Sequence, residues 1–295
     1  GIATGVFAAL SIKAASEYQK STVNRVTGAG EMQQNLSMVS KGMLAMAGQV
    51  GDSAQELAKA MFTVESAGYH GAAGLTVLRI AADGAKVDNA DLTTTVDAVT
   101  SALNAYHLPA SDAAKVTNTL IASAAVGKMH LQDLAASLGT VLPSAAALRV
   151  PLAQVGAALA TMTMQGTDSA RAATYLRFAM AALANPTAKA QAAMASVGLT
   201  SEQVANTMTH GGLPAVFTLM ETQVGERFPA GSAKYLAALA NMVGGTRGLQ
   251  AVLELTGKHL ATMNANLASI DSRVGAAGNS VSDWGEVQKN FNVQL

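Results

Sequence analysis

The stretch LQDLAASLGTVLPSAAALRVPLAQVGAALATMTMQGTDSARAATYLRFAMAALANP, residues 131–186, decides the fold. Its apolar residues recur with a period near 3.6 in three successive runs, the spacing of one face of an α-helix. The three runs are Leu131, Leu134, Leu138 and Val141; Leu152, Val155, Leu159 and Met162; and Ala172, Leu176, Ala179 and Leu183. Pro143, Pro151 and the turn at 166–168 separate the runs, because proline cannot continue a regular helix and Asp168 can cap a new one. The stretch therefore predicts three consecutive helices with short connections.

The remainder of the chain keeps this rhythm, with one predicted helix in about 15–20 residues and short linkers between helices. No run shows the period-two alternation of a β-strand. Small side chains fill the positions between larger ones, which allows helix backbones to approach closely. The sequence predicts an all-α fold, a multi-helix array of short antiparallel helical hairpins that assembles into oligomers.

Several helix boundaries carry recognisable signals. The spacing within residues 53–56 and within 200–203 is that of a capping box, in which a hydroxyl and a carboxylate or amide satisfy each other's free backbone N–H groups. Asp88 or Asn89 is predicted to cap the helix that follows them. The glycines in 210–212 predict the sharpest break in the chain.

Four segments are expected along the chain. Residues 1–30 are predicted to form an N-terminal helix that continues from an upstream chain, and 31–199 a helical core. Residues 200–270 are predicted to form a second helical part, and 271–295 a helical linker to a downstream chain, which contains the single tryptophan, Trp284.

The composition excludes several functional classes. Charged residues make up 13% of the 295, whereas soluble domains usually carry about 25%, so we expect some apolar faces to meet partner proteins, including other copies of the chain. The 19 basic and 19 acidic residues cancel and form no basic stripe, so sequence-specific nucleic-acid binding is not predicted. The absence of cysteine excludes a disulfide framework, a zinc knuckle and a thiolate nucleophile.

Two apolar segments are candidates for membrane contact. Residues 2–12 form an apolar run that is too short to span a bilayer and is interpreted as an amphipathic or buried helix. The longest uncharged window, 150–167, contains a proline, a glycine and two glutamines. It is therefore interpreted as a core helix and not as a membrane span.

The sequence assigns no catalytic, cofactor-binding or metal-binding residue, and no cofactor is expected. The five histidines are far apart, and no two of them lie at the one-turn spacing of a helical metal site; they are His70, His107, His130, His210 and His259. The glycine-rich segments 27–30 and 244–248 lack a preceding strand and are interpreted as helix breaks. The carboxylates are interpreted as helix caps and solvated faces, notably Glu202, Glu221 and Glu226.

Two further groups of residues have alternative interpretations. Tyr69 and His70 either line a site or, as we favour, form a helix–helix corner in which the ring packs on a neighbouring helix and the imidazole faces solvent. The methionines either form an adaptable binding groove or, as we favour, fill the core. They are Met32, Met43, Met46, Met61, Met162, Met164 and Met180.

The order of several short segments resembles the conserved core of the tail tape measure proteins of tailed bacteriophages. The matching segments are 53–60, 64–68, 91–106, 136–139, 141–147, 166–176, 184–186 and 197–199. Each segment is weakly specific alone, and the specificity comes from their order and spacing. The resemblance covers about residues 33–199 and is fainter to about residue 265.

This resemblance implies a structural virion protein, located in the tail lumen or at the tail tip, that is part of a much longer chain. Such a chain sets tail length during assembly and leaves the tail at infection to assist genome delivery across the cell envelope. The implied partners are further copies of the chain, tail tube and tail-tip proteins, tail assembly chaperones and, at infection, the host membrane. The resemblance carries over no catalytic residue, so a non-enzyme is expected. A membrane-active module that forms a DNA conduit and a fragment of a cell-wall-degrading virion enzyme remain the alternatives.

Overall fold

The structure is a computed structural model that describes residues 26–275. Every regular element within these residues is helical and none is a strand, which confirms the predicted all-α class. The residues form two compact units, 26–117 and 118–275. The predicted helix before residue 26 and the predicted segment around Trp284 lie outside the described residues, and the four predicted segments stay predictions.

The first unit contains four complete α-helices and two 3₁₀ turns. The helices are α1 (Leu36–Val50), α2 (Ala54–Ser66), α3 (Gly71–Val87) and α4 (Leu92–Ala105), and the turns are Gln33–Asn35 and Ala110–Asp112. Helices α1, α2 and α3 all contact one another, and α4 packs on α2 and α3. Helix α5 (Ala113–Val126) follows and runs into the second unit.

The second unit contains the remaining helices of the described chain. They are α6 (Leu131–Ala147), α7 (Leu152–Met164), α8 (Ser169–Ala184), α9 (Ala188–Ser196), α10 (Ser201–Arg227), α11 (Ala233–Met242), α12 (Thr246–Leu255) and α13 (Lys258–Gly275). The most extensive contacts join α6 with α8, α8 with α12 and α7 with α13. These pairs are not consecutive, so the contacts in this unit do not show the predicted order of simple hairpins.

Helix α7 lies at the centre of the second unit. Its residues 155–163 are all buried, which confirms that the uncharged window 150–167 is a core helix. The helix comes close to its neighbours because it presents small residues. A Cβ added at Gly156 would lie 2.0 Å from the hydroxyl oxygen of Ser123 in α5. Close packing of this kind depends on small side chains at the points of contact.

Local side-chain caps explain many of the helix starts. The predicted capping boxes are both present, with Ser53 and Glu56 at α2 and Thr200 and Gln203 at α10. Asp168 accepts a hydrogen bond from a backbone N–H at the start of α8, as predicted.

The predicted cap at the start of α4 is wrong. The N-cap of α4 is Asp91, whose side chain accepts a hydrogen bond from the N–H of Thr94. Asn89 instead lies in the preceding turn with a φ of 49°. Asp88 and Asn89 belong to the end of α3 and the turn that follows it. The next helix therefore begins later in the chain than predicted, and Asp91 is its cap.

The prediction that Pro143 ends a helix is also wrong, because Pro143 lies inside α6. Proline removes one backbone hydrogen bond, but burial of apolar residues on both sides of it supports the helix. Val141, Leu142 and Ala145 are all at most 1% exposed. The break predicted at 210–212 is present, since Gly212 interrupts α10 with φ 67° and ψ −160°.

The methionines divide between core and surface. Met43, Met46, Met61, Met162 and Met180 are buried, as predicted for core filler. The other two do not fill the core, because Met32 is 55% and Met164 52% exposed. Both lie at the edge of a helix, Met32 before α1 and Met164 at the end of α7.

Candidate functional site

The structure brings Glu31, Glu65 and His70 together in the first unit. One carboxylate oxygen or imidazole nitrogen from each residue lies within 4.8 Å of the other two. Glu31 precedes the first 3₁₀ turn, Glu65 lies in the last turn of α2, and His70 is the N-cap residue of α3. The cluster therefore joins three chain segments where helices begin and end.

The carboxylate of Glu31 is held by backbone and side-chain donors. Its Oε1 accepts hydrogen bonds from the N–H of Met32 and from Asn35 Nδ2, both at 2.8 Å. Its Oε2 accepts a hydrogen bond of 2.7 Å from the buried N–H of Gly71. Gly71 has a φ of +58°, and a Cβ there would lie 3.1 Å from Asn35 Nδ2, so glycine allows this close approach.

Glu65 is the most deeply buried member of the cluster. The residue is 1% exposed, and its Oε2 contacts Nδ1 of His70, whose side chain is 37% exposed. Its other oxygen, Oε1, is buried and has no hydrogen-bond donor. The interpretation of His70 as a solvent-facing imidazole was therefore incomplete, because one ring nitrogen is turned toward a buried carboxyl group.

The two carboxyl groups differ strongly in acidity. Burial raises the pKa of Glu31, but hydrogen bonds from Glu65, Asn35 and two backbone amides outweigh burial and lower it to about 2. Burial, followed by the hydrogen bond with Glu31 and the negative charge of Glu31, raises the pKa of Glu65 to about 9. At neutral pH the pair therefore retains one proton, held by Glu65 and shared with Glu31.

Sequence spacing could not show this cluster. Glu65 and His70 are five residues apart across a helix end, and Glu31 lies 34 residues before Glu65, so no helical metal-site spacing exists. One signal was present in the sequence: Glu65 follows Met61 by four residues and so continues the buried stripe of α2. A carboxylate on a core-facing stripe requires a partner.

A polar corner lies beside the cluster. Asn104 Nδ2 donates a hydrogen bond to the carbonyl oxygen of Ala67 (3.0 Å), and the Tyr69 hydroxyl donates one to the carbonyl oxygen of Leu108 (3.1 Å). The segments 64–68 and 103–106 thus meet in space. The hydrogen bond of Tyr69 agrees with the prediction of a helix–helix corner.

The other predicted polar residues have structural surroundings. His130 is an exposed residue at the start of α6, and His210 is exposed with Nδ1 2.8 Å from the carbonyl oxygen of Asn206. Glu202 and Glu226 are exposed, and the carboxylate of Glu221 accepts a hydrogen bond from the N–H of Gly257 (2.9 Å). These positions agree with caps and solvated faces.

The second unit holds buried and partly buried polar contacts that position helices. Asn266 Nδ2 in α13 donates a hydrogen bond of 3.0 Å to the hydroxyl of Thr161 in α7. Gln154 Oε1 in α7 accepts one of 2.9 Å from the N–H of Leu213, next to the break in α10. Both contacts bind neighbouring helices to α7.

None of the helices within residues 26–275 has the length and apolar character that crossing a membrane requires. The apolar run 2–12, which motivated the membrane-active alternative, lies outside this part of the chain.

Comparison with known proteins relates this chain to phage tails. A family model described as "Phage-related minor tail protein" matches residues 40–244, more than half of the chain. A tape measure protein of Pneumococcus phage Dp-1 is 26% identical over 193 residues, which are 65% of this chain and 17% of that relative. The chain thus spans less than a fifth of the relative's length. No solved structure matches.

Proposed function

The chain belongs to the phage-related minor tail protein family, and on that premise we propose that it is a segment of a tape measure protein that sets tail length during assembly. The observation that carries the proposal is the similarity to a tape measure protein of which this chain covers only 17%. The segment order identified in the sequence points to the same role. On this proposal the parent chain is several times longer than the 295 residues.

The helical fold fits a chain that works by its extent. An extended α-helix adds about 1.5 Å per residue, so the length of a helical chain is proportional to its residue number. The two units, 26–117 and 118–275, are compact and add far less length than extended helices of the same size. We therefore assign most of the measured length to the flanking chain and treat these units as folded modules in the tail lumen or at its tip.

The proposed partners follow from the role and the composition. The low share of charged residues, 13%, favours contacts with other copies of the chain and with tail tube or tail-tip proteins. Tail assembly chaperones would keep such a chain soluble before the tube forms. Release at infection, with assistance to genome delivery across the envelope, completes the proposed cycle. The role is structural, and it uses no catalytic group of this chain.

Tail length in phages with altered parent genes tests the proposal. In-frame deletions of increasing size in the predicted helical flanks should shorten tails by about 1.5 Å per residue removed, as measured by electron microscopy. The matched control replaces each deleted segment with an unrelated helical sequence of equal length, which should restore the tail. Tails of unchanged length after the deletions would refute the ruler function.

A further inference from the structure

The cluster of Glu31, Glu65 and His70 has the composition of a metal site as well as the geometry. Its donor atoms are two carboxylate oxygens and one imidazole nitrogen, all within 4.8 Å of one another. Two ligands of a tetrahedral zinc ion, each about 2 Å from the metal, lie roughly 3.3 Å apart. Small side-chain movements therefore suffice to place all three donors around one ion, with Nδ1 of His70 and Oε2 of Glu65 moving slightly apart.

An independent observation also points to a cation. Glu65 Oε1 is buried without a hydrogen-bond donor, although Glu65 is only 1% exposed. An unsatisfied buried carboxylate oxygen is costly, so either a proton shared by the two carboxyl groups or a bound cation has to satisfy it. A single proton satisfies this oxygen, whereas a divalent cation also balances the charge of both Glu31 and Glu65.

The surroundings orient the donors as metal sites require. Asn35 Nδ2 and the N–H groups of Met32 and Gly71 hold the Glu31 carboxylate in place, and such hydrogen bonds to ligands typically raise metal affinity by 10- to 100-fold. The side chain of His70 is 37% exposed, which provides a path for an ion from solvent. The imidazole selects against Mg²⁺ and Ca²⁺, which prefer sites made of oxygen alone.

We propose that Glu31, Glu65 and His70 bind one divalent transition-metal ion of the Zn²⁺ class, which ties the chain before α1 to the end of α2 and the start of α3. A water molecule would take the fourth position of a tetrahedral ion. The bound ion acts as a structural clamp at the entry to the helical unit. Because it links residues 34 and 39 positions apart, it stabilises the folded unit relative to the unfolded chain.

Calorimetric titration of the untagged, chelator-treated 295-residue chain with ZnCl₂ tests the proposal. The wild type should bind one Zn²⁺ per chain and should not respond to MgCl₂ at the same concentration. Glu65→Gln keeps the shape of the side chain, and it and His70→Asn should each weaken binding at least tenfold. The control variant His130→Ala removes an exposed histidine outside the cluster and should bind Zn²⁺ as the wild type does.

A wild type that binds no zinc, or cluster variants that bind it unchanged, would show that the carboxyl pair holds only a proton and would overturn the proposal. If both variants lose their helical circular dichroism, anomalous diffraction at the zinc edge from wild-type crystals decides the question. A peak between Glu31, Glu65 and His70 supports the site. A map with no peak there overturns it. Neither result bears on tail length, so the outcome is independent of the proposed function.

Discussion

Replacing Gly156 by alanine tests whether close helix contact determines the core of the second unit. A Cβ at this position would lie 2.0 Å from Oγ and 2.7 Å from Cβ of Ser123. The hydroxyl of Ser123 can rotate away, but the two Cβ atoms cannot both stay where they are. Helix α7 or α5 must therefore move, and overpacking of this kind typically costs about 1–3 kcal/mol.

The intrinsic helix preference works in the opposite direction. Alanine is favoured over glycine inside a helix by about 0.5–1 kcal/mol. We therefore expect Gly156→Ala to lower the free energy of unfolding by about 1–2 kcal/mol, after the two effects are combined. Gly139 provides the matched control, because it lies in α6, is exposed, and has nothing within 4 Å of an added Cβ. Gly139→Ala should raise stability by up to about 1 kcal/mol.

Urea unfolding followed by circular dichroism, combined with hydrogen exchange of peptides from α5 and α7, measures both variants within the second unit. Exchange is needed because a chain with two compact units need not unfold in one step. In a double-mutant cycle, Ser123→Gly should recover about 1 kcal/mol or more of the loss caused by Gly156→Ala. The close approach of the two helices is refuted if Gly156→Ala is as stable as Gly139→Ala.

Three further substitutions test local features of the second unit. Asn266→Ala removes the buried hydrogen bond to Thr161, so thermal unfolding should show a loss of about 1–2 kcal/mol, and an unchanged midpoint would contradict the contact. Asp168 has a lowered pKa, chiefly because the N–H of Arg171 donates to it. The ionised side chain of Asp168 therefore stabilises the fold fully above the ordinary aspartate pKa, and this stabilisation is lost as pH falls through the lowered pKa. In acid titrations the stability of the wild type should fall more steeply than that of Asp168→Asn. Gly212 has φ 67° and ψ −160°, a conformation restricted to glycine. Gly212→Ala should therefore lower the free energy of unfolding in urea by about 1–3 kcal/mol. An unchanged free energy of unfolding would contradict the kink.

The sequence predicts those features of the fold that depend on neighbouring residues. The apolar stripe of α7 and the capping boxes at Ser53 and Thr200 are local patterns, because the residues that form each of them are only a few positions apart in the sequence. The prediction for Pro143 is wrong because the effect of this proline depends on burial of the surrounding residues against other helices. Tertiary packing there outweighs the local preference of proline to end a helix.

The candidate site could not be predicted from local sequence patterns, for a similar reason. Glu31 meets Glu65 and His70 only because the chain before α1 passes beside the junction of α2 and α3. No metal-binding residue is predicted from the sequence, because that prediction considers only the spacing of residues along single helices. A buried position for Glu65 was predictable from the stripe of α2, but the identity of its partners required the tertiary fold.

The compactness of the second unit bears on how a ruler would use it. Residues 118–275 number 158 (275 − 118 + 1), and a single helix of that length would extend about 240 Å. Folded as a globule, the same residues have a radius of gyration of roughly 15 Å. Extension would expose core residues such as Leu159, Phe217 and Leu239, all 0% exposed, and each side chain returned to water costs about 1.5–3 kcal/mol. We therefore expect deletion of this unit to shorten tails by far less than 240 Å. Deletion of 158 residues from an extended helical flank should instead shorten them by about 240 Å. A full 240 Å loss on deleting the unit would mean that it is unfolded in the tail.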